Sequence, residues 1–369
     1  MMRKLFKQLH IWLSMPLGIV MSITCLTGAM LIFEDEITRS AQSRIYYVAE
    51  VHDEPMSFAE LVATLEPTLL EGQAVESITT FDDAERSYEV VISGPDGKRL
   101  HVDQYTGEVL GTPKRIEAFR TIFRLHRWLM DSRPSDDGVF WGKMVVGIST
   151  LLMVVVILTG VVIWWPKSMK MWLTRSKVSL KLGWHRFWYD LHVVGGIYAT
   201  LLLLVMALTG LTWSFEWYRT GFYRVLGNDA PAAKHTKPGK AETAESDATT
   251  IEYAVWQRVY DELGAKYADA QKIMVSNGKA TVTLSDVVNK RASDSYTFDT
   301  ATGEILTSEL YRDRDNSRKM RGAIYSIHVG NFGGILTRVL WFMAALLGAV
   351  LPITGYYMWI KRKFFKKQK

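Results

Sequence analysis

The chain has 369 residues, a formal net charge of +6, and 48% hydrophobic residues that include 13 Trp and 16 Met. Length alone allows two or three soluble domains, whereas this composition points to a protein that is part membrane and part soluble. A single cysteine, Cys25, excludes an internal disulfide and a Cys-x-x-Cys-His covalent haem attachment.

In chain order, the first element is the uncharged run Ile11–Phe33, preceded by Arg3, Lys4 and Lys7. It is too long for the apolar core of a signal peptide and lacks a small-x-small cleavage site before Glu34, so it reads as a membrane helix. Cys25 lies within it and reads as a small apolar residue of a packed helix. A soluble stretch follows. Ser57–Leu70 has helical periodicity, Val75–Phe81 and Ser87–Ile92 alternate as strands, and Val102–Leu110 reads as strand, Gly turn, strand. Met144–Trp165 is the second uncharged run and Val193–Phe215 the third. After the third comes Asn228–Thr250, rich in Ala, Lys, Thr and Pro, which reads as a flexible linker. A helix over Ile251–Gly264, strands at Ala270–Ser276 and Lys279–Leu284, and a second strand-turn-strand at Phe298–Leu306 repeat the earlier order. Val339–Ile360 is the fourth run. Each uncharged run has 22 or 23 residues, enough to cross the hydrocarbon core as a helix that satisfies its own backbone.

Charge sets an expected orientation. The first ten residues carry three basic residues, the segment 166–190 carries six against one acid, and the tail after Ile360 carries six against none. The stretches Glu34–Phe140 and Glu216–Arg338 hold 37 of the 38 acids. Positive loops stay in the cytoplasm, so both termini and the middle loop are expected inside. The basic residues flank helix ends without a nucleic-acid-binding fold, which argues against a nucleic-acid partner.

The chain also repeats itself. With Leu9-His10 placed over Leu191-His192, Leu26-Thr27-Gly28 falls on Leu208-Thr209-Gly210 and Glu34 on Glu216, without a gap. His126 falls on His328, and Leu158-Thr159-Gly160 on Ile353-Thr354-Gly355. Thr106-Gly107-Glu108 echoes Thr302-Gly303-Glu304. The expected architecture is an α-helical membrane protein with four transmembrane helices and two small α+β extracytoplasmic domains, built as a tandem parallel repeat.

Four of the eight histidines are repeat-equivalent, and all four sit near helix ends. His10 and His192 would pair at the inner face, His126 and His328 at the outer face. Two neutral imidazoles facing across a bundle suit a b-type haem, and zinc would want more ligands than either pair offers. Gly28 lies 18 residues after His10, about 27 Å along a helix, which puts it at the depth of the outer pair. Gly210 is its counterpart, and Gly160 and Gly355 reach the inner pair. These glycines are expected to pack against haem, with the neighbouring Thr hydroxyls donating to a histidine or a propionate. Interfacial histidines also cap helices, and small residues also serve ordinary helix packing. His185, seven residues before His192, is an alternative inner ligand, a bridge to an electron donor, or a solvated residue. His52, His101 and His235 fall in soluble segments with no expected role. Arg3, Lys4 and Arg186 inside, and Arg124, Arg127 and Arg321 outside, are candidate propionate partners, although positive-inside topology explains the inner set equally well.

Leu9-His10-Ile11-Trp12-Leu13, the repeated Leu-Thr-Gly, Leu125-His126-Arg127, the exit Trp164-Trp165-Pro166 and the doubled Thr-Gly-Glu turn resemble the PepSY-associated transmembrane family, also called iron-regulated membrane proteins. The resemblance covers nearly the whole chain. Members include inner-membrane ferric-siderophore reductases with two haems, and PepSY modules elsewhere are linked to peptidase inhibition. Two departures lie beside the proposed outer pair: the polar stretch Asp131–Gly138, and Val329-Gly330 where the first half has Arg127-Trp128.

The resemblance implies transmembrane helices within 1–33, 126–165, 191–215 and 328–360. PepSY-like extracytoplasmic domains would occupy 34–125 and 216–327, with a cytoplasmic loop at 166–190 and a basic tail at 361–369. It also implies a bacterial inner-membrane location and two non-covalent b-type haems with iron held by His10, His192, His126 and His328. The reaction implied is a haem-dependent oxidoreduction in which a ferric siderophore or other iron chelate is reduced outside, with a cytoplasmic or quinone donor. The rivals are a PepSY-domain binding or regulatory protein without redox activity, and a siderophore or solute transporter. A transporter would need intramembrane charges, which the four runs lack.

Overall fold

The computed structural model describes residues 2–94, 97–135, 138–179, 181–230, 252–285 and 287–365. Most of the linker Asn228–Thr250, His235, part of Asp131–Gly138 and the end of the basic tail lie outside the described residues. The first helices are α1 (Met2–Leu31), α2 (Glu34–Ala41), α3 (Ser43–Tyr46), α4 (Phe58–Leu65), α5 (Glu117–Trp128) and α6 (Trp141–Trp164). They are followed by α7 (Met169–Arg175), α8 (Trp184–Asp190), α9 (Gly196–Ser214), α10 (Glu216–Val225), α11 (Tyr253–Lys266), α12 (Asn316–Val329) and α13 (Gly334–Phe364). The chain divides into two compact units, one of Met1–Asp35, Ile116–Ala230 and Ile324–Lys369, the other of Glu36–Arg115 and Pro231–Ala323.

The first unit is helical. Met2–Leu31, Trp141–Trp164, Trp184–Ser214 and Asn331–Phe364 are long and apolar enough to cross a membrane. Each contains one of the four uncharged runs almost entirely, and extends it at the ends with polar or charged turns. α1 packs on α6 and α13, and α9 packs on the same two. The ring order is therefore α1, α6, α9, α13, with α1 diagonal to α9. Small residues permit this closeness: a Cβ on Gly348 would lie 2.8 Å from Leu203 and 3.0 Å from the Cys25 sulfur. Between α8 and α9 the backbone widens into a π-helical turn, Leu191–Gly195. Such turns insert one residue into a helix and re-aim the side chains around it; His192 is one of those side chains.

The second unit is built on a sheet of β1 (Val75–Phe81), β2 (Tyr88–Ile92), β3 (Arg99–Val102), β4 (Val109–Gly111), β5 (Lys272–Ser276), β6 (Lys279–Thr283), β7 (Ser293–Phe298) and β8 (Ile305–Glu309). Two separate sheets are expected from the repeat, but the strands form one, in the order β4-β3-β2-β1-β5-β6-β7-β8. β1 and β5 pair antiparallel from Ser77 opposite Ser276 to Phe81 opposite Lys272. The physical reason is edge protection. Four strands alone would leave β1 and β5 as open edges, and joining them covers both at once. It also merges two small cores. Phe58, Leu61 and Leu65 of α4 and Trp256, Val259 and Leu263 of α11 share one buried cluster with Ile78, Val90, Val275 and Val282 of the sheet. The Thr-Gly-Glu turns are built alike: Gly107 and Gly303 both have positive φ (73° and 80°), and each donates its N–H to the carbonyl of Asp103 or Asp299 at 2.8 Å.

Candidate functional site

The histidine contacts are made by α1, the π-helical turn before α9, α5 and α12, so His126 and His328 sit on short helices that precede α6 and α13 and not on those spans themselves. His10, on the third turn of α1, meets His192 of the π-helical turn with ring centroids 6.3 Å apart. His126, near the end of α5, meets His328, near the end of α12, also at 6.3 Å. Both sequence-predicted pairs therefore come together. His185 meets no other histidine; its ring lies 5.9 Å from Tyr357.

The four histidines are held in one way. Nδ1 of His10 lies 3.0 Å from the Val156 carbonyl, and Nδ1 of His192 lies 3.0 Å from the Leu351 carbonyl. Nδ1 of His126 lies 2.9 Å from the Thr24 carbonyl, and Nδ1 of His328 lies 3.1 Å from the Met206 carbonyl. Each carbonyl belongs to the residue four before Gly160, Gly355, Gly28 or Gly210. A carbonyl only accepts, so Nδ1 is the protonated nitrogen and donates in all four rings. The lone pair is left on Nε2, the tautomer in which imidazole serves as a ligand.

Threonine hydroxyls join three of these bonds. The Oγ1 atoms of Thr159, Thr354 and Thr209 lie 3.0, 2.8 and 3.0 Å from Nδ1 of His10, His192 and His328. Each hydroxyl gives its own proton to a carbonyl of its own helix, so it accepts from the imidazole. The expectation that these hydroxyls donate is thereby corrected. Thr27 bonds Ile23 and Thr24 of its own helix instead.

The four glycines lie against the histidine rings. A Cβ on Gly28, Gly210, Gly160 or Gly355 would lie 2.9, 3.1, 3.4 or 3.5 Å from Cε1 of His126, His328, His10 or His192. The flat group lying on each glycine is the imidazole itself. A side chain at Gly28 would push the His126 ring off its carbonyl and one at Gly210 would crowd His328, whereas at Gly160 and Gly355 a methyl would make ordinary contact.

Candidate propionate partners are largely engaged elsewhere. Arg3 donates to the Trp165 carbonyl, and Arg186 pairs at 2.8 Å with the buried Asp190. Arg124 donates to the Met130 carbonyl at 2.8 Å, and Arg321 belongs to the second unit. Arg127 lies over Phe123 and Trp128, 5.9 and 5.8 Å from their centroids, and burial lowers its pKa. Of the two sequence departures, Asp131 accepts from the Gly142 N–H at 2.7 Å and caps α6. Gly330 has a φ of 75° with Trp341 packed against it.

Sequence reasoning missed the four carbonyls and Trp213, whose ring lies 5.2 Å from His328. The carbonyls have a usable signal, the position four before each Thr-Gly glycine. Outside the four spans, burial holds His126 and His328 below the usual imidazole pKa, which favours the neutral form.

Among the described residues no three or more His, Cys, Asp or Glu gather as metal ligands. A bare metal site is therefore poorly served. The two rings of each pair, with centroids 6.3 Å apart, could hold a metal ion between them only if another group, such as a porphyrin, supplied its remaining donors.

The model of the PepSY-associated TM region matches residues 7–362. The chain belongs to this family. No curated protein matches this PepSY-associated membrane protein.

Proposed function

We propose that this protein is a transmembrane electron-transfer protein that holds two non-covalent b-type haems and reduces ferric siderophores or related iron chelates. The observation that carries this reading is the pair of imidazole pairs, each ring with Nδ1 bonded to a backbone carbonyl and with centroids 6.3 Å apart in each pair. When bound, haem supplies a one-electron ferric/ferrous couple at each level. His10 and His192 would hold one group, His126 and His328 the other. The backbone carbonyls of Val156, Leu351, Thr24 and Met206 orient the rings and make them more basic. Gly28, which lies against His126, stands 18 residues after His10 on one continuous helix, so the two levels are about 27 Å apart. That separation is close to the thickness of the hydrocarbon core.

The same reading takes the chain as a tandem parallel repeat in the bacterial inner membrane. Both termini and the loop 166–190 would be cytoplasmic, and the sheet unit, with its two PepSY-like halves, periplasmic. Charge distribution supports this orientation. Ferrous iron is held weakly by siderophores, so reduction outside would release it.

The test is the visible spectrum of protein purified after haem-replete expression, oxidised and reduced, with haem counted per chain. Two haems that reoxidise on addition of ferric chelates are expected. Absence of a Soret band removes the reading and leaves a binding or regulatory role.

A further inference from the structure

Among the described residues, two cations beside the outer histidine pair, Arg127 and Lys143, have no ion-pair partner. Arg127 follows His126 directly, is half-buried beneath Phe123 and Trp128, and has no ion-pair partner among the described residues. Its charge acts on both His126 and His328. Lys143, on the first turn of α6, is half-buried with Arg127, Arg133 and Arg219 as like-charged neighbours.

Close backbone contacts enforce this crowding. A Cβ on Gly142 would lie 1.9 Å from the Trp128 carbonyl, and one on Gly147 would lie 2.7 Å from Phe215. The first contact presses the end of α5 onto α6. The second, one helical turn after Lys143, brings in the chain leading to Arg219. Of the described acids there, Glu216 pairs with Arg219 at 3.2 Å and also offsets part of the repulsion on Lys143, and Asp131 accepts from the Gly142 N–H at the start of α6. Half-buried like charges repel, and desolvation raises the cost, so this arrangement calls for an anion. A guanidinium with a free fork selects carboxylates, and an adjacent ammonium adds a point charge.

We infer that Arg127 and Lys143 form a carboxylate-binding site beside the outer histidine pair. The inference deepens the proposed function, and rests on it for the purpose of the anion. The carboxylate has two sources, an acidic iron chelate arriving as substrate or a propionate of the group held by His126 and His328.

The test uses the full chain in phosphatidylcholine nanodiscs, with citrate and ferric citrate as probes in equilibrium dialysis. If the anion is the substrate, citrate binds and weakens with salt. Arg127→Gln and Lys143→Gln then each lower its affinity by about tenfold or more. Arg127→Lys restores part of it, and Arg120→Gln, an exposed control, leaves it unchanged. If the anion is a propionate, citrate does not bind. In that case protein loaded with haem dimethyl ester shows the altered outer-level reduction potential that Arg127→Gln also gives with haem itself. Two results would overturn the inference. One is no citrate binding together with unchanged haem content and potentials in Arg127→Gln; the other is citrate binding abolished by added phosphatidylglycerol, which gives the site to a lipid phosphate. Protein without any Soret band defeats the haem reading but leaves the citrate measurement intact.

Discussion

At the residue scale the chemistry turns on which imidazole nitrogen carries the proton. The acceptor-only carbonyls of Thr24, Val156, Met206 and Leu351 fix it on Nδ1. His10→Ala or His192→Ala is expected to remove one haem per chain and leave the other spectrum intact. His126→Ala or His328→Ala should remove the other. Loss of both haems from every variant would mean that the levels are not independent. The glycines make a graded test. Gly28→Ala puts a methyl 2.9 Å from the His126 ring, whereas Gly355→Ala makes an ordinary 3.5 Å contact with His192. Gly28→Ala is expected to weaken haem retention at its level by about 10-fold and Gly355→Ala to change it by less than about 2-fold. Equal effects in a haem-transfer assay would contradict the packing account. The histidine pairs were legible in the sequence because duplication marks them. Their carbonyl partners were not, because every residue offers a carbonyl and only geometry selects one.

At the element scale, the strands and the helices α4 and α11 follow local pattern closely, whereas α5 and α12, which carry His126 and His328, are separate helices and not the outer ends of the second and fourth membrane helices, where these histidines are expected. β1 and the first anticipated strand share Val75–Phe81, and α11 begins two residues inside the anticipated helix. The pairing of β1 with β5 lay beyond reach, because alternation tells a strand which face is buried but not which strand lies beside it. That junction yields a prediction. Ile78 is fully buried at the centre of β1, opposite Val275 of β5. Ile78→Ala should cost about 2–5 kcal/mol and lower amide protection in β6 and β7 as well as in β2. Protection lost only in β1–β4 would show two independent sheets.

At the scale of the whole molecule, the sheet unit carries a titration that its fold imposes. His101 is 1% exposed. Its Nδ1 lies 2.8 Å from the Ser87 hydroxyl, which donates to the Ile45 carbonyl and so accepts from the ring. Burial, with Arg86 and Arg99 adding repulsion, lowers its pKa from 6.5 to about 4, and Tyr46 closes the remaining side. The unfolded chain therefore binds a proton that the folded unit refuses. Stability from this site is full above pH 6.5 and falls as the pH drops through about 4, by on the order of 3 kcal/mol in total. Thermal unfolding followed from pH 7 to pH 4 should show this slope, and His101→Gln should flatten it; an unchanged slope in the variant rejects the assignment.

Taken alone, the sequence determined four apolar spans, the strands and the helices α4 and α11, the duplicated histidines and membership of the PepSY-associated TM region family. These are properties of local composition and of self-similarity, which survive without coordinates. Tertiary structure decided the rest: one sheet in place of two, imidazoles lying on the four glycines, and Arg127 without an ion-pair partner among the described residues. Each of these depends on which distant backbone comes within a few ångströms of which side chain, and packing settles that by burying edges, rings and charges together.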